Sequence, residues 1–282
     1  MTDRPELPIP SVRYGSIDHD YAARLATVAP EDDGPVWMIN LMAYRPRAEY
    51  LDGRPTELTG RQADDRYAPF DSLAGVGAEL VFVADVEAQL LGDSPQWDRI
   101  GVVRYPTRRA FLDMQARPDF QAQHVHKEAG MSETIILAGL PLDLPALPED
   151  APGWSAVPHP PTPEDGPVVV LHVLKFADDP SGGADMASYQ QEAGRVAVPH
   201  GVRLAGWFGV EGTVVGDGRS WDQARFNAFP SRAAFEAVVF DPDRLAAQAE
   251  HREVAIADTY TMITRPFIDR LHESVSGVPL PT

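Results

Sequence analysis

The strongest constraint on this sequence is an internal repeat. The segment GDSPQWDRIGVVRYPTRRAFLDMQARPDF, which begins at Gly92, is matched by GDGRSWDQARFNAFPSRAAFEAVVFDPDR, which begins at Gly216, at a constant offset of 124 residues. HKEAGMSET from His126 matches HREVAIADT from His251 at an offset of 125, and GPVWMINLMAY from Gly34 matches GPVVVLHVLKF from Gly166 at 132. Three blocks in the same order, separated by small gaps, indicate that one ancestral domain is present twice.

The repeat sets the predicted domain boundaries. We expect a leader at 1–33, a first repeat at 34–139, a linker at 140–165, a second repeat at 166–268 and a tail at 269–282. The linker is rich in proline, which is excluded from central strands and helix interiors, so it is expected to be extended and semi-rigid.

Each repeat predicts the same order of secondary structure. The apolar runs VWMINLMAY and VVVLHVLKF are typical of buried strands. A helical stretch follows, then two strands joined by a Gly-Asp turn, a helix that begins after Pro106 or Pro230, and a last strand. This β-α-β-β-α-β order predicts an α+β fold in which helices cover one face of a four-stranded antiparallel sheet. The other, apolar face needs a cover, so the two repeats are expected to pack sheet to sheet.

These motifs resemble the dimeric α/β-barrel superfamily of ferredoxin-like domains, and most closely an uncharacterised bacterial family within it. The resemblance rests on VWMINLMAY, TGRQADDRY (59–67), WD…RYPTRRAF and HVHKEAGMSET, and the second repeat lacks the TGRQ block. Because superfamily members are usually homodimers, the resemblance implies two tandem ferredoxin-like repeats that form an intramolecular dimeric α/β barrel, a monomeric pseudo-dimer. The superfamily includes cofactor-independent monooxygenases, polyketide cyclases, lactone isomerases and haem-handling enzymes, and fold alone does not choose among them.

Charge and missing motifs narrow the functional classes. The formal net charge of −18 disfavours nucleic acid and anionic membranes as partners. The sequence has no cysteine, which excludes disulfides, thiolate metal sites and a cysteine nucleophile. It also lacks GxGxxG, P-loop and GxSxG motifs, so nothing indicates a nucleotide, a flavin or a serine hydrolase. With no apolar stretch typical of a signal peptide or a membrane span, we expect a cytoplasmic protein.

Histidine supplies the leading catalytic candidates. His126 and His251 occupy equivalent positions before Lys/Arg-Glu, and a histidine titrates near neutral pH and can act as a general base. A histidine near a helix C-terminus is also favourable for structural reasons. Asn40 and His172 are equivalent polar residues in apolar strands, and either line a pocket or satisfy neighbouring polar groups. Because His124 and His126 are two apart on a helix and do not face each other, no metal site is predicted.

Other polar and aromatic side chains complete the predicted site. Arg104, Arg225 and Asn227 lie on the third strands, where an arginine can hold a carboxylate or enolate oxygen or can pair with an acid on the next strand. Tyr44 and Tyr67 either donate hydrogen bonds to an oxygenated ligand or belong to the core. The motif at Trp97 and Asp98 recurs in the second repeat, which favours a packing role.

The sequence therefore predicts a cofactor-independent enzyme of cyclase, isomerase or monooxygenase type that uses acid–base chemistry on a small hydrophobic oxygenated molecule. His126 is the predicted base, assisted by Asn40, Tyr44 and Arg104. The predicted substrate-binding residues are His172, Tyr67, Trp97, Arg225, Asn227 and His251. Two alternatives stay open: a non-catalytic barrel that binds a small molecule or haem, and an interaction module with no enclosed cavity.

Overall fold

The computed structural model of this protein describes residues 12–178 and 182–282. The chain divides into two compact units. Unit 1 contains the described residues up to Ala84, together with Ser94–Leu140 and Val210–Ser220, and unit 2 contains Asp85–Asp93, Pro141–Gly209 and Trp221–Thr282. Among the described residues, no helix has both the length and the apolar character that crossing a bilayer requires.

The first half of the chain has five strands and five helices among its described residues. In chain order they are β1 (Ser16–Ile17), α1 (His19–Thr27), β2 (Val36–Tyr44), α2 (Gly60–Arg66), α3 (Phe70–Ala74), β3 (Glu79–Leu91), β4 (Arg99–Tyr105), α4 (Arg108–Gln115), α5 (Pro118–Gly130) and β5 (Met131–Pro141). The helical stretch predicted after the first strand comprises two helices, α2 and α3, because the backbone at Tyr67 is extended and Pro69 follows before α3.

The second half follows the same order. Its elements are β6 (Val168–Phe176), α6 (Gly182–Ala197), β7 (Arg203–Gly216), β8 (Gln223–Phe229), α7 (Arg232–Val239), α8 (Pro242–Ala247), α9 (Glu253–Ala255), β9 (Ile256–Asp269) and α10 (Leu271–Ser276). A π-helical turn, Gln248–Arg252, joins α8 to α9, and a 3₁₀ turn at Trp154–Ala156 lies between β5 and β6. The fold is α+β, as predicted.

The first strand of each half is the middle strand of an antiparallel trio. In unit 1, β2 pairs with β4 and β5, with Val36 opposite Tyr105 and Trp37 opposite Gly139. In unit 2, β6 pairs with β8 and β9, with Val168 opposite Phe229 and Val169 opposite Thr264. These pairs occupy equivalent positions of the two repeated sequences.

An irregularity in the pairing also recurs at equivalent positions. It falls between Ala43 and Tyr44 in β2 and between Lys175 and Phe176 in β6. The aspartate of the Trp-Asp motif stabilises each one: Tyr44 N donates to Asp98 Oδ2 (2.8 Å), and Phe176 N donates to Asp222 Oδ2 (2.7 Å). In both repeats this donor lies two residues beyond the last residue that pairs with the third strand, so the carboxylate satisfies a backbone N–H that this ladder leaves free.

Strand alternation directs one face of β2 and of β6 toward helices. Val36, Met38 and Met42 pack in a core with residues of α3, α4 and α5. Val168 and Val170 pack with residues of α6 and α7. Polar residues at even-numbered positions of these strands therefore lie between a sheet and its helices, where a ligand would be enclosed.

Candidate functional site

Unit 2 contains a cavity of about 410 Å³ between its strands and helices. This volume lies within the range of about 300–1,000 Å³ that is usual for small-molecule sites. Most of the wall is apolar, and its described apolar residues are Pro145, Ala146, Leu147, Pro148, Leu174, Ala193, Gly194, Ala197, Val198, Val202, Leu204, Trp207, Phe229, Phe235, Val238 and Val239. The remaining described residues of the wall are His172, Tyr189, Arg225, Asn227, Arg244 and Arg252.

Three arginines give the cavity a strong positive charge. Arg252 is 7% exposed, and its Nη2 has no hydrogen-bond partner among the described residues. Arg225 Nε also has none, although its Nη2 donates to Gln223 Oε1 (3.3 Å) and its guanidinium lies 4.5 Å from the ring centroid of Trp207. No Asp or Glu is among the described residues that line the cavity. Buried charges are normally paired, so this arrangement is unusual for a purely structural interior.

His172 is a neutral base beside these cations. Burial, and then the charges of Arg252, Arg225 and Arg244, lower its pKa well below the usual value. Its Nδ1 lies 3.1 Å from Thr261 Oγ1 on β9, which fixes the ring orientation. When Nδ1 donates to Thr261, the other ring nitrogen carries the lone pair that can accept a proton.

Arg225 remains charged at neutral pH. Burial lowers the pKa of Arg225 to about 10, and the nearby charge of Arg252 contributes to the shift. Burial also lowers the pKa of Arg252. A group with a pKa near 10 is protonated at pH 7, so the cavity combines a neutral imidazole with fixed positive charge.

The position of Arg252 results from a local irregularity of the backbone. The two repeats shift from an offset of 124 to one of 125 between Pro242 and His251, so the second repeat carries one extra residue. The structure accommodates it in the π-helical turn Gln248–Arg252. A π turn adds a residue without breaking a helix, and such turns are frequent at functional sites.

Unit 1 fills the equivalent position with an internally compensated polar cluster. Asn40 is equivalent to His172, and Lys127 is equivalent to Arg252. Lys127 Nζ donates to Asn40 Oδ1 (3.2 Å) and lies 5.5 Å from the ring centroid of Tyr67. Asn40 Nδ2 donates to the carbonyl oxygens of Met38 (3.0 Å) and Gly101 (3.4 Å). The amide thus satisfies its neighbours, as the structural alternative for Asn40 requires.

Asp64 supplies the negative charge of this cluster. Its Oδ2 accepts from Tyr44 Oη (2.6 Å) and from Arg99 Nη1 (3.3 Å). Burial lowers the pKa of Lys127 while the Asp64 carboxylate raises it. Burial raises the pKa of Asp64, and its hydrogen bond from Tyr44 and the charges of Lys127 and Arg99 oppose that shift.

The TGRQ block holds α2, and with it Asp64, against α5. Thr59 Oγ1 accepts from Gln62 N, while Gln62 Oε1 accepts from Thr59 N, which forms a capping box. Gly60 is required here because a Cβ at this position would lie 2.3 Å from the carbonyl oxygen of Gly130. The motif that the second repeat lacks therefore places the carboxylate that compensates Lys127.

The structure separates the predicted site residues into distinct groups. His172, Arg225 and Asn227 come together in the unit 2 cavity. Asn40 and Tyr44 belong to the unit 1 cluster through Lys127 and Asp64, and Tyr67 packs beside them. His126, the predicted base, is partly exposed, and its Nδ1 lies 2.7 Å from Tyr50 Oη.

The other predicted residues lie outside both polar groups. The Arg104 guanidinium lies 5.5 Å from the ring centroid of Trp37, on the face of the sheet opposite Asn40. Trp97 is buried at 4% exposure, as the packing role expects. His251 is half-buried on the π turn, with Nε2 3.9 Å from Glu250 Oε1. Among the described residues, no group of three or more His, Asp or Glu side chains is placed to hold a metal ion.

Sequence reasoning missed the buried cations. The repeated histidines His126 and His251 are partly exposed, whereas Lys127 and Arg252, the next residues in each copy, are buried. A signal was present in α5, where Phe120, His124 and Lys127 follow the i, i+4, i+7 spacing of one helix face, and all three are buried.

The buried His124 leads to a prediction about pH. Its Nε2 lies 2.9 Å from Tyr14 Oη, and burial, with a smaller contribution from Lys127, lowers its pKa to about 4. Below pH 6.5 the unfolded chain gains a proton at this histidine and the folded chain does not, so stability present above that pH is lost on acidification. The expected loss from His124 is about 3 kcal/mol between pH 6.5 and pH 4.

The measurement is urea unfolding of the wild type and of His124→Gln over this pH range. Glutamine keeps an acceptor for Tyr14 Oη but does not titrate. We therefore expect the free energy of unfolding of His124→Gln to fall with decreasing pH less steeply than that of the wild type, with a difference in slope of about 1 kcal/mol per pH unit. His19→Gln, at an exposed position, serves as the control. Equal pH slopes for the wild type and His124→Gln would contradict the account of this histidine.

Comparison with known proteins finds similar solved structures. No family model matches the chain, and no curated protein does. The methylated RPA0582 protein is 31% identical, and the match covers 46% of this chain and 96% of that one, with a TM-score of 0.39. A second structure of RPA0582, a protein of unknown function from Rhodopseudomonas palustris, is 25% identical over 47% of this chain and 99% of that one, with a TM-score of 0.40. An anthrone oxidase-like protein is 13% identical over 86% of this chain and 97% of its own, with a TM-score of 0.48.

Proposed function

This chain belongs to the family of the RPA0582 protein, and on that premise we propose that it is a member of the dimeric α/β-barrel superfamily and a cofactor-independent enzyme acting on a small hydrophobic oxygenated molecule. The observation that carries this proposal is the unit 2 cavity, in which a neutral His172 stands beside Arg225 and Arg252 within apolar walls. RPA0582 is a protein of unknown function, so membership of its family does not indicate an activity for this chain.

The proposed architecture is a covalent pseudo-dimer. RPA0582 is matched over nearly its whole length by less than half of this chain, so the relative corresponds in size to one repeat. The equal element order and the equivalent strand registers of β2 and β6 support two tandem ferredoxin-like repeats, at 34–139 and 166–268. In this proposal the two repeats close on each other as the subunits of a homodimeric relative would.

The proposed chemistry begins with proton abstraction. His172 takes a proton from an acidic C–H or O–H of the substrate, and the electron pair moves onto a substrate oxygen. Arg225 and Arg252 lie where they can stabilise the oxyanion that forms, and the apolar wall excludes water so that this interaction is strong. Arginine donors already fixed before the reaction need little reorganisation when the charge develops.

The alternative is a protein that binds a small molecule or haem and does not convert it. The low pKa of His172 favours this alternative, because a weakly basic imidazole removes protons less readily. In this case the arginines would hold an anionic group in the ground state only.

A conversion screen tests the proposal. The purified full chain is incubated in air, with a chelator and no added cofactor, with small phenols, 1,3-dicarbonyl compounds and lactones, and products are read by mass spectrometry. We expect at least one compound to be converted by the wild type. Unchanged mass indicates isomerisation, loss of water a cyclisation, and gain of oxygen an oxygenation. A compound that is retained but recovered unchanged, or a haem absorbance in the purified protein, would support the binding alternative instead.

A further inference from the structure

The unsatisfied donor atoms of Arg225 and Arg252 specify the chemical class of the ligand more closely than the proposed function does. We propose that the unit 2 cavity binds a small organic acid whose carboxylate lies between Arg225 and Arg252, and whose apolar body lies along Phe229, Phe235 and Val238. This inference rests on the site of the proposed function, and it adds the charge and the chemical class of the molecule that occupies it.

The first argument is unsatisfied donor capacity. Arg252 Nη2 and Arg225 Nε are buried N–H donors without a partner among the described residues. A buried donor left unpaired is destabilising, and a charged one more so. A carboxylate accepts two parallel N–H bonds from a guanidinium, and its charge balances the cation. Such a ligand therefore satisfies the donors and compensates the charge.

The second argument is the contrast between the two units. In unit 1 the buried cation Lys127 has the carboxylate of Asp64 in its neighbourhood, at a position prepared by the TGRQ block. The second repeat lacks that block, and the described wall around Arg252 contains no carboxylate. We infer that the ligand supplies in unit 2 the negative charge that Asp64 supplies in unit 1.

The third argument concerns the shape of the head group. Trp207 lies against the Arg225 guanidinium at 4.5 Å and donates from Nε1 to Gln223 Oε1 (2.9 Å), the same oxygen that accepts from Arg225. These contacts hold the guanidinium plane in one orientation. A planar, fixed guanidinium suits a planar carboxylate, which it can bind through two hydrogen bonds.

Calorimetric titration of the full chain with octanoate and with octanamide tests the inference. The two probes have the same shape and differ in charge, so their comparison isolates the head group. We expect octanoate to bind the wild type at least about tenfold more tightly than octanamide, because hydrogen bonds to charged groups are the stronger ones. In Arg252→Met this preference should disappear, while Arg195→Met, which alters an exposed arginine on α6, should behave as the wild type.

The outcomes separate this inference from the proposed function. Equal affinity for octanoate and octanamide would overturn the organic-acid inference, while conversion of a neutral compound in the screen would leave the proposed function standing. A wild type that converts a neutral compound but does not bind octanoate would also overturn the organic-acid inference. If Arg252→Met does not fold, Arg225→Met provides the same comparison, with circular dichroism as the check of folding.

Discussion

Replacing Asp64 by alanine is expected to destabilise the protein by about 3–5 kcal/mol, the usual range for breaking a buried ion pair from one side. Asp64 accepts hydrogen bonds from Tyr44 and Arg99, and it compensates the buried Lys127. Without it, Tyr44 loses its partner and a cation remains in the interior with no opposite charge beside it. The free energy of unfolding is measured by urea denaturation at pH 7.

Its neighbour Asp65 offers a matched control. Asp65 also bonds to Arg99 (2.9 Å), but its side chain is 53% exposed. Exposed pairs contribute about 0–1 kcal/mol, so Asp65→Ala should be close to neutral. Asp64→Asn keeps the shape of the side chain but removes its charge. Its destabilisation should lie between those of Asp64→Ala and Asp65→Ala. Equal destabilisation by Asp64→Ala and Asp65→Ala would show that burial does not decide the role of this carboxylate.

Replacing His172 by glutamine is expected to lower turnover of a converted compound by about 10²–10⁴-fold, as loss of a general base usually does. Glutamine retains a group that can hydrogen-bond to Thr261 Oγ1 and fills a similar space, but it does not accept a proton. Since the imidazole would act on the substrate in the transition state, kcat should fall more than KM rises. The measurement is steady-state kinetics on a compound found in the conversion screen.

His126→Gln is the control for this prediction. His126 is partly exposed and bonded to Tyr50, so its replacement should leave kcat/KM close to the wild-type value. A large loss in His126→Gln together with wild-type turnover in His172→Gln would return the catalytic assignment to the residue that the sequence alone favoured.

Strand patterns could be predicted from the sequence because a strand has a period of two residues. The alternation in VVVLHVLKF places His172 on the same face as Val168 and Val170, which pack against helices. The partner strand then brings Arg225 and Asn227 to the same site, since His172 lies opposite Arg225 and Val170 opposite Asn227. The element order and the β2 and β6 strands could be predicted by the same reasoning.

The helix contribution to the site could not be predicted in the same way. The inward direction of Arg252 depends on the phase of a helix that contains an added residue, and each added residue rotates the rest of the helix by roughly 100°. Sequence comparison located the addition but did not show whether a loop or the π turn Gln248–Arg252 absorbs it. A lysine or arginine near a helix end is normally solvated, so residue type alone did not predict the burial of Lys127 or Arg252, although the helical spacing of Lys127 with Phe120 and His124 is consistent with it.

Native mass spectrometry of the full chain with octanoate, comparing the wild type with Gly194→Phe, tests most directly whether the unit 2 cavity is the binding site. Gly194 lines the cavity on α6, and a Cβ there would meet no atom outside its own helix within 4 Å, so we expect a phenylalanine at this position to occupy part of the cavity. We predict a one-to-one complex with the 30.8 kDa wild type and none with Gly194→Phe. Equal occupancy of octanoate in both proteins would contradict the assignment of the cavity as the functional site.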